Sequence, residues 1–384
     1  MEILFLTTIL PSKKLHGSEI ASQSIIDAFR FVGCNVVVIG YERQEDSITN
    51  FSKNEISVGQ RTIETKQALP KAAFWFVKSL AKGTPYSSEK YFSKKYVDRV
   101  LSILSEKHFD LIVFDHPQIG WIEKYIDGQH FCLIAHNIEH EIYLQHAQSE
   151  TKKFWQWVYI REAKKIKEFE NKLAINALEV WTLTIHDSTY FSKLDYEIKT
   201  RTIDLPVGLS KPILGKVKKK FDIGIIGSWP WKANEEGLLW FLKNVYPKLP
   251  KDVSIKVAGR GADWLTDKYE NVEYLGFVPS AHEFMAKARL VAIPILSGGG
   301  IQIKTLDAIA SGSMIVATTV ALRGITHPPN YIKVADDADE FADSISCSLE
   351  KLNDQVFIEE STSWLEDRRK KFISEIDDFI AKIM

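Results

Sequence analysis

The chain has 384 residues, of which 45% are hydrophobic and 26% charged, and its 49 basic and 50 acidic residues leave a net charge of -1. This balance excludes a nucleic-acid-binding protein that relies on a broad basic surface. The hydrophobic runs are far shorter than the roughly 20 apolar residues of a membrane-spanning helix, which excludes an integral membrane protein. The length exceeds what one hydrophobic core usually supports, so the chain is expected to form two domains.

The N-terminus and the cysteines indicate a cytoplasmic protein. Met1 leads directly into a hydrophobic run without the charged segment and cleavage site of a signal peptide. Cys34, Cys132 and Cys347 are far apart and lack the spacing of a disulfide framework or a metal site. We therefore expect three reduced thiols, each buried as a small hydrophobic residue.

Short hydrophobic runs alternate with segments of helical period in the first half of the chain, which predicts parallel α/β layers. The runs short enough for buried strands are residues 2–8, 35–40, 110–115, 130–136 and 177–184. Helices are expected at about Ser18–Val32 and Lys152–Leu173. Together these elements predict an N-terminal domain of residues 1–208.

A linker and a second sheet follow. Residues 204–220 combine proline, glycine and a basic run without periodicity, which is typical of a linker. Strand-like runs then recur at residues 221–228, 254–260, 272–277, 290–296 and 313–319. We expect a C-terminal domain of residues 209–360 and a charged amphipathic helix in residues 361–384.

A glycine-rich loop is the clearest candidate for a binding site. Gly298, Gly299 and Gly300 follow a hydrophobic strand and precede a helix, so their peptide N–H groups can face an anion at the helix N-terminus. Lys304 adds a positive charge one turn later, and Asp307 can accept hydrogen bonds from ribose hydroxyls. This pattern favours a nucleotide diphosphate over the alternative, a flexible turn with a solvated lysine. The loop is not a Walker motif, because Ile303 stands where that motif has glycine.

Several segments resemble one enzyme family in the correct order. They are GSWPWKANEEGLLWFL (227–242), SIKVAGRG (254–261), GGGIQIKTLDAIASG (298–312), MIVATTVALRGI (314–325), HGSEIA (16–21) and IAHNIEHE (134–141). The chain resembles the retaining glycosyltransferases of the GT-B fold, family four, also called glycosyl transferases group 1. The resemblance implies an α/β enzyme with two Rossmann-like domains facing a cleft and a C-terminal helix that can pack back on the N-terminal domain. It implies no metal and no cofactor besides the donor, a UDP- or GDP-type nucleotide sugar.

The resemblance also implies roles for particular residues. Lys304 would pair with the donor diphosphate and stabilise the leaving group, and Asp307 would replace the glutamate that binds ribose. His136 would contact the donor sugar, so His136 and Lys304 are the catalytic candidates. The remaining donor-binding candidates are Gly17, Lys232, Gly298, Gly299, Gly300, Ile301 and Thr305. Arg260 is a weaker candidate for the border of the base pocket.

Two departures from the family pattern leave alternatives open. Gly299 replaces the first of two glutamates, which normally contacts hydroxyls of the donor sugar. The resemblance therefore does not indicate which donor sugar is bound. Ser18 replaces the second of two adjacent glycines in the first loop, where it can cap the following helix. The alternatives to a glycosyltransferase are a GT-B binding module without catalysis and a GT-B epimerase.

The acceptor is expected to be a glycan, a lipid-linked molecule or a protein. Two segments, residues 66–100 and 151–172, combine excess lysine with aromatic residues and are candidates for contact with an anionic acceptor or a membrane surface. In Pro70–Lys82, Phe74, Trp75 and Val77 can enter an anionic membrane from the cytoplasmic side. An ordinary domain helix with a solvated face is the alternative.

Two metal-like motifs compete with this interpretation. His136, Glu139 and His140 have the HxxEH spacing, which on one helix can supply two zinc ligands and a general base. Asp336–Asp339 contains a DxD sequence, but its position before a predicted helix favours a capping role.

Overall fold

The computed structural model describes residues 1–11, 17–43, 54–62, 69–126, 128–206, 217–350 and 354–383. The chain divides into two compact units, the first formed by Met1–Ile203 and Ile373–Met384 and the second by Asp204–Phe372. Most of the predicted linker, residues 207–216, and His16 of the first glycine loop lie outside the described residues.

The described part of the first unit contains a seven-stranded parallel sheet in the order β3-β2-β1-β4-β5-β6-β7. Its strands are β1 Glu2–Ile9, β2 Asn35–Arg43, β3 Glu55–Arg61, β4 Leu111–Asp115, β5 Phe131–Ala135, β6 Glu179–Thr182 and β7 Thr200–Thr202. Its helices are α1 Gly17–Phe31, α2 Leu69–Lys82, α3 Tyr86–Tyr91, α4 Lys94–Glu106, α5 Glu139–Ser149, α6 Lys153–Asn176 and α7 Ile185–Ser192, with a 3-10 helix at Pro117–Tyr125.

The described part of the second unit contains a six-stranded parallel sheet in the order β10-β9-β8-β11-β12-β13. Its strands are β8 Phe221–Ile226, β9 Ile255–Ala258, β10 Val272–Gly276, β11 Ala288–Ile293, β12 Met314–Ala317 and β13 Lys333–Val334. Its helices are α8 Lys232–Trp240, α9 Ala281–Ala286, α10 Ile303–Ala310, α11 Ala338–Glu350 and the first part of α12 Asp354–Ile383.

The central strands are mostly hydrophobic, as is typical of parallel sheets with helices on both faces. Every residue of β4, β5 and β12 is buried. In each sheet the strand order reverses beside the first strand, between β1 and β4 and between β8 and β11. Open α/β sheets bind ligands at the carboxyl ends of the strands at such a reversal, so the loops after these four strands are the places to look for a site.

The structure corrects three predictions about single residues. Cys347 is exposed, whereas Cys34 and Cys132 are buried as expected. Ser18 is not a cap: α1 begins at Gly17, and Ser22 Oγ donates to the Ser18 carbonyl, 2.9 Å away, within the helix. Trp75 is not available to a membrane, because it is buried against Tyr86, with ring centroids 6.3 Å apart, and beneath the Arg61 guanidinium. Within the described part of the chain, no helix has the length and hydrophobicity needed to span a bilayer.

The C-terminal helix α12 contributes to both units. It begins at Asp354, before the predicted start at Ser361, and its last residues belong to the first unit. There Phe379 packs edge-on against Trp181, with ring centroids 4.8 Å apart, and beneath the Arg201 guanidinium. The expected packing of this helix on the N-terminal domain is therefore confirmed.

Helix α8 lies directly against the end of β11. A Cβ atom on Gly237 would lie 1.9 Å from the Pro294 carbonyl oxygen. Only glycine permits this approach, and the approach fixes the start of α8 beside the loop that follows β11.

We predict that Gly237→Ala destabilises the second unit. Helix propensity alone predicts the opposite sign, because alanine is favoured over glycine in helices by about 1 kcal/mol. The clash with Pro294 should outweigh this gain and give a net loss of about 1–3 kcal/mol, seen as a lower midpoint of thermal unfolding. Ala233→Gly in the same helix is the matched control, with a cost of at most about 1 kcal/mol. A Gly237→Ala protein as stable as the wild type would contradict the close packing.

Candidate functional site

The glycine-rich loop lies where the sequence predicts it, between β11 and α10. Gly298 and Gly300 have φ angles of 121° and 62°, which side-chain-bearing residues rarely adopt, whereas Gly299 is not among the glycines with positive φ. Helix α10 begins at Ile303, shortly after the loop, as the sequence predicts. The loop therefore needs glycine at two of the three positions for its backbone path.

Lys304, in the first turn of α10, meets a residue that the sequence analysis did not single out. Its Nζ donates to Asn234 Oδ1, 2.6 Å away, and Asn234 Nδ2 donates to the Ser228 carbonyl at 2.9 Å. Asn234 lies in the first turn of α8 and Ser228 follows β8. The amine is thus held by the loop and helix that follow β8, the strand beside β11.

The surroundings of the Lys304 amine are short of negative charge. Its cavity is lined mainly by apolar groups, among them Trp229, Leu238 and Pro294. Burial lowers the pKa of Lys304 to about 7, and no carboxylate in the described part of the chain offsets this effect. A phosphate group placed beside the amine would favour its charged form.

The other candidates on and just before α10 differ in how exposed they are. Asp307 follows Lys304 on the less buried face of the helix, and Ile301 is partly buried against the core. Thr305 is fully buried; its hydroxyl donates to the Ala321 carbonyl at 2.6 Å, and its N–H donates to the Gln302 carbonyl. The structure therefore places Thr305 in the core, which argues against a direct contact with the donor.

Two further basic candidates follow β8 and β9. Lys232 is the first residue of α8, half exposed, with its Nζ 3.7 Å from a carboxylate oxygen of Glu236. The Arg260 guanidinium lies over the exposed ring of Phe277, 4.7 Å from its centroid. Both side chains follow carboxyl ends of strands in the second sheet, the edge that also carries Lys304.

In the first unit, Asp115 forms the centre of a buried polar cluster. Its Oδ2 accepts hydrogen bonds of 2.7 Å from Thr7 Oγ1 and Ser22 Oγ, and its Oδ1 lies 2.8 Å from His136 Nε2. These groups come from the carboxyl ends of β1, β4 and β5 and from α1. Gly17 is the first residue of that same helix. The sequence analysis found His136 and Gly17 but missed Asp115.

The charge state of Asp115 determines the form of His136. Burial alone would raise the pKa of Asp115, but electrostatic interaction with the His116 and His136 rings and hydrogen bonds from His136 and Thr7 lower it to about 2. The ionised carboxylate can only accept, so His136 Nε2 carries a proton and its Nδ1 is the remaining nitrogen.

His116 completes the cluster. Its ring stacks on that of His136 with centroids 3.8 Å apart, and its backbone φ is 77°, an uncommon value for a residue with a side chain. Burial, followed by the charge of His136, lowers the pKa of His116 to about 3. The ligand atoms of Asp115, His116 and His136 lie within 4.8 Å of one another, close enough for a metal ion. Both oxygens of Asp115 already accept hydrogen bonds, however, and this arrangement suits a carboxylate that orients an imidazole.

The HxxEH spacing does not form a zinc-binding helix. His136 follows β5, whereas Glu139 and His140 open α5. His140 Nδ1 is hydrogen-bonded to Glu170, whose carboxylate also accepts the N–H groups of Glu139 and His140 and so caps α5. Burial, with the charge of Glu170, raises the pKa of Glu139 to about 6. His136 and His140 are therefore hydrogen-bonded to different carboxylates, those of Asp115 and Glu170.

The DxD sequence has the predicted capping role. Asp337 Oδ1 accepts the N–H groups of Asp339 and Glu340 at the start of α11. Asp336 accepts both the N–H and the hydroxyl of Thr319. These carboxylates stabilise a helix N-terminus and a neighbouring turn.

Comparison with known proteins identifies the second unit. Residues 220–351 match the family model of glycosyl transferases group 1. The chain is also similar to an uncharacterised 44.6 kDa protein in the cps region of Klebsiella pneumoniae, with 25% identity over 270 residues, covering 64% of this chain and 67% of that protein.

Solved structures identify the fold of the whole chain. Sucrose-phosphate synthase from Thermosynechococcus elongatus has a TM-score of 0.70 at 14% identity, covering 100% of this chain and 98% of that one. Anabaena HepE in complex with UDP and glucose has a TM-score of 0.62 at 17% identity, covering 100% and 98%. WaaG, a glycosyltransferase involved in lipopolysaccharide biosynthesis, has a TM-score of 0.61 at 15% identity, covering 99% of each chain. The chain thus has the GT-B fold, and its residues 220–351 are similar to the glycosyl transferases group 1.

Proposed function

We propose that the chain transfers a sugar from a nucleotide diphosphate donor to a glycan acceptor with retention of configuration. The observation that carries this proposal is the Lys304 amine, which lies beside a glycine-rich loop at the carboxyl end of β11 and has a neutral amide as its described partner. A diphosphate would give this amine a negatively charged partner. A UDP donor is the first choice because HepE, of the same fold, was solved with UDP and glucose.

Different groups of the proposed donor site bind different parts of the donor. The N–H groups of the loop and the Lys304 ammonium hold the diphosphate and stabilise the charge that grows on it as the glycosidic bond breaks. Asp307, one turn further along the same face of α10, accepts hydrogen bonds from ribose hydroxyls. Asn234 keeps the amine of Lys304 in place, so it acts as a positioning residue. Lys232 contributes a second positive charge.

The acceptor is proposed to be a growing glycan, free or lipid-linked. WaaG is involved in lipopolysaccharide biosynthesis, and the Klebsiella relative is a protein in the cps region. A protein is the remaining one of the three kinds of acceptor that the sequence analysis predicts. Product analysis with a bound nucleotide sugar separates transfer from epimerisation, since only transfer or hydrolysis releases the nucleoside diphosphate.

His136 is proposed to take part in the transfer. Because His136 donates its Nε2–H to Asp115, Nδ1 is the nitrogen that remains for a substrate hydroxyl. The stack with His116 holds the ring against rotation. This role needs orientation rather than charge, which explains why a carboxylate and a second ring fix the imidazole from two directions.

Lys304→Ala tests the donor site. Loss of a charge-assisted contact should weaken UDP binding by about tenfold to a hundredfold, measured by the rise in unfolding temperature during titration with UDP, GDP and their sugar conjugates. Lys287→Ala is the matched control, because Lys287 precedes β11 at the opposite end of the strand and pairs with Glu283. If Lys304→Ala keeps the affinity of the wild type, the phosphate site is misplaced.

UDP binding should weaken as the pH rises above 7. The ligand binds the ammonium form of Lys304, whose pKa in the free protein is about 7, while the phosphate of UDP is almost fully ionised above about pH 7. The dissociation constant should therefore rise by up to about tenfold per pH unit between about pH 7 and 9. In Asn234→Asp a carboxylate raises the pKa of the amine, so the weakening should begin at higher pH. A flat profile in the wild type would show that this lysine does not bind the phosphate.

Asp115→Ala should reduce turnover without weakening UDP binding. Loss of the carboxylate frees His136 to change tautomer and orientation, and misorientation of a reacting group costs up to about a hundredfold in rate. Release of UDP from the nucleotide sugar that binds gives the rate, and calorimetry gives the affinity for UDP. Asp110→Ala, just before β4 at the other end of the strand, is the control. Equal turnover in the two variants would remove His136 from the mechanism.

A further inference from the structure

A cluster of exposed aromatic side chains marks the junction of α5 and α6. Residues 151–157, here called the aromatic tip, are all exposed. Within it Phe154, Trp155 and Trp157 are 61%, 48% and 52% exposed. The ring of Phe154 lies 5.4 Å from that of Trp155 and 6.3 Å from that of Trp157. Phe154 thus contacts both tryptophans at a hairpin tip, and all three side chains leave much of their surface uncovered.

Helix α2 of the same unit adds a second exposed apolar face. Phe74 and Val77 are 64% and 63% exposed, and Leu80 continues the same row one turn later. Helices α2 and α6 meet at Arg161, which donates to the hydroxyl of Ser79 at 2.9 Å and to its carbonyl at 3.0 Å. The two exposed apolar faces therefore lie on neighbouring helices.

Basic side chains predominate around these faces. The acidic residue nearest to the aromatic tip in the sequence is Glu150, whose carboxylate accepts the N–H groups of Thr151 and Lys152. The aromatic tip contains Lys152 and Lys153 and no acidic residue. Helix α2 likewise has no acidic residue and carries Lys71, Lys78 and Lys82, of which the last two also pair with Glu89 on α3. Both apolar faces are thus bordered by lysines.

We propose that the aromatic tip and the exposed face of α2 dock on the surface of an anionic lipid bilayer. Tryptophan and phenylalanine are favoured where hydrocarbon meets the headgroups, and lysines bind the phosphates of anionic lipids while their stems cover apolar surface. A second copy of the chain fits this surface less well, because symmetric pairing would place lysines against lysines. The inference does not depend on the proposed transfer reaction.

Vesicle flotation tests the docking surface. The full chain should float with vesicles of two parts phosphatidylcholine to one part phosphatidylglycerol, and far less with phosphatidylcholine alone. The double variant Trp155→Ser/Trp157→Ser should lower the partition coefficient by about tenfold or more. Lys152→Glu/Lys153→Glu should lower it comparably and remove most of its salt dependence.

Matched variants of exposed residues elsewhere in the first unit serve as controls. Phe31→Ser/Tyr196→Ser removes two aromatic side chains that are 72% and 92% exposed, and Lys193→Glu/Lys199→Glu reverses two exposed lysines. These controls should float like the wild type, and all variants should keep its unfolding midpoint because the changed side chains are exposed. Flotation of the tryptophan variant at the level of the wild type would overturn the proposal. So would absence of vesicle binding together with a dimer that the same variant dissociates.

Discussion

The hydrogen bond between Lys304 and Asn234 is the contact on which the account of the donor site depends. It joins the start of α10 to the start of α8, and so ties together the two helices that follow neighbouring strands of the second sheet. The contact of Gly237 with the backbone of Pro294 brings α8 close enough for this bond to form. Because the partner is a neutral amide, the amine is held in position while its charge remains available to a ligand.

The polar cluster of the first unit differs from the donor site in how its charged group is stabilised. There a buried carboxylate, Asp115, accepts hydrogen bonds from Thr7, Ser22 and His136, so its charge is stabilised within the protein. In the second unit the partly buried amine of Lys304 has no carboxylate partner among the described residues. The first arrangement suits the orientation of an imidazole, and the second suits the binding of an anion. Both occur at the carboxyl ends of strands beside a reversal of strand order.

The main elements of the fold can be predicted from the sequence. So can the glycine loop with Lys304, but not the partner residues Asn234 and Asp115. Continuous hydrophobic runs identify the central strands, whereas β3 and β7 escape because they are short or only partly buried. The glycine loop and Lys304 form a local pattern and are found readily. Asn234 is a single amide in a helical segment, and it becomes informative only when folding brings it to a lysine 70 residues away. Asp115 is missed for the same reason, because its pairing with His136 joins two separate strand ends.

The most direct test of the central claim is a crystal structure of the protein with UDP. The account predicts the diphosphate within hydrogen-bonding distance, about 3 Å, of Lys304 Nζ and of N–H groups in the loop around Gly299 and Gly300, with the ribose near Asp307. A diphosphate bound elsewhere, with Lys304 Nζ still donating only to Asn234, would contradict it.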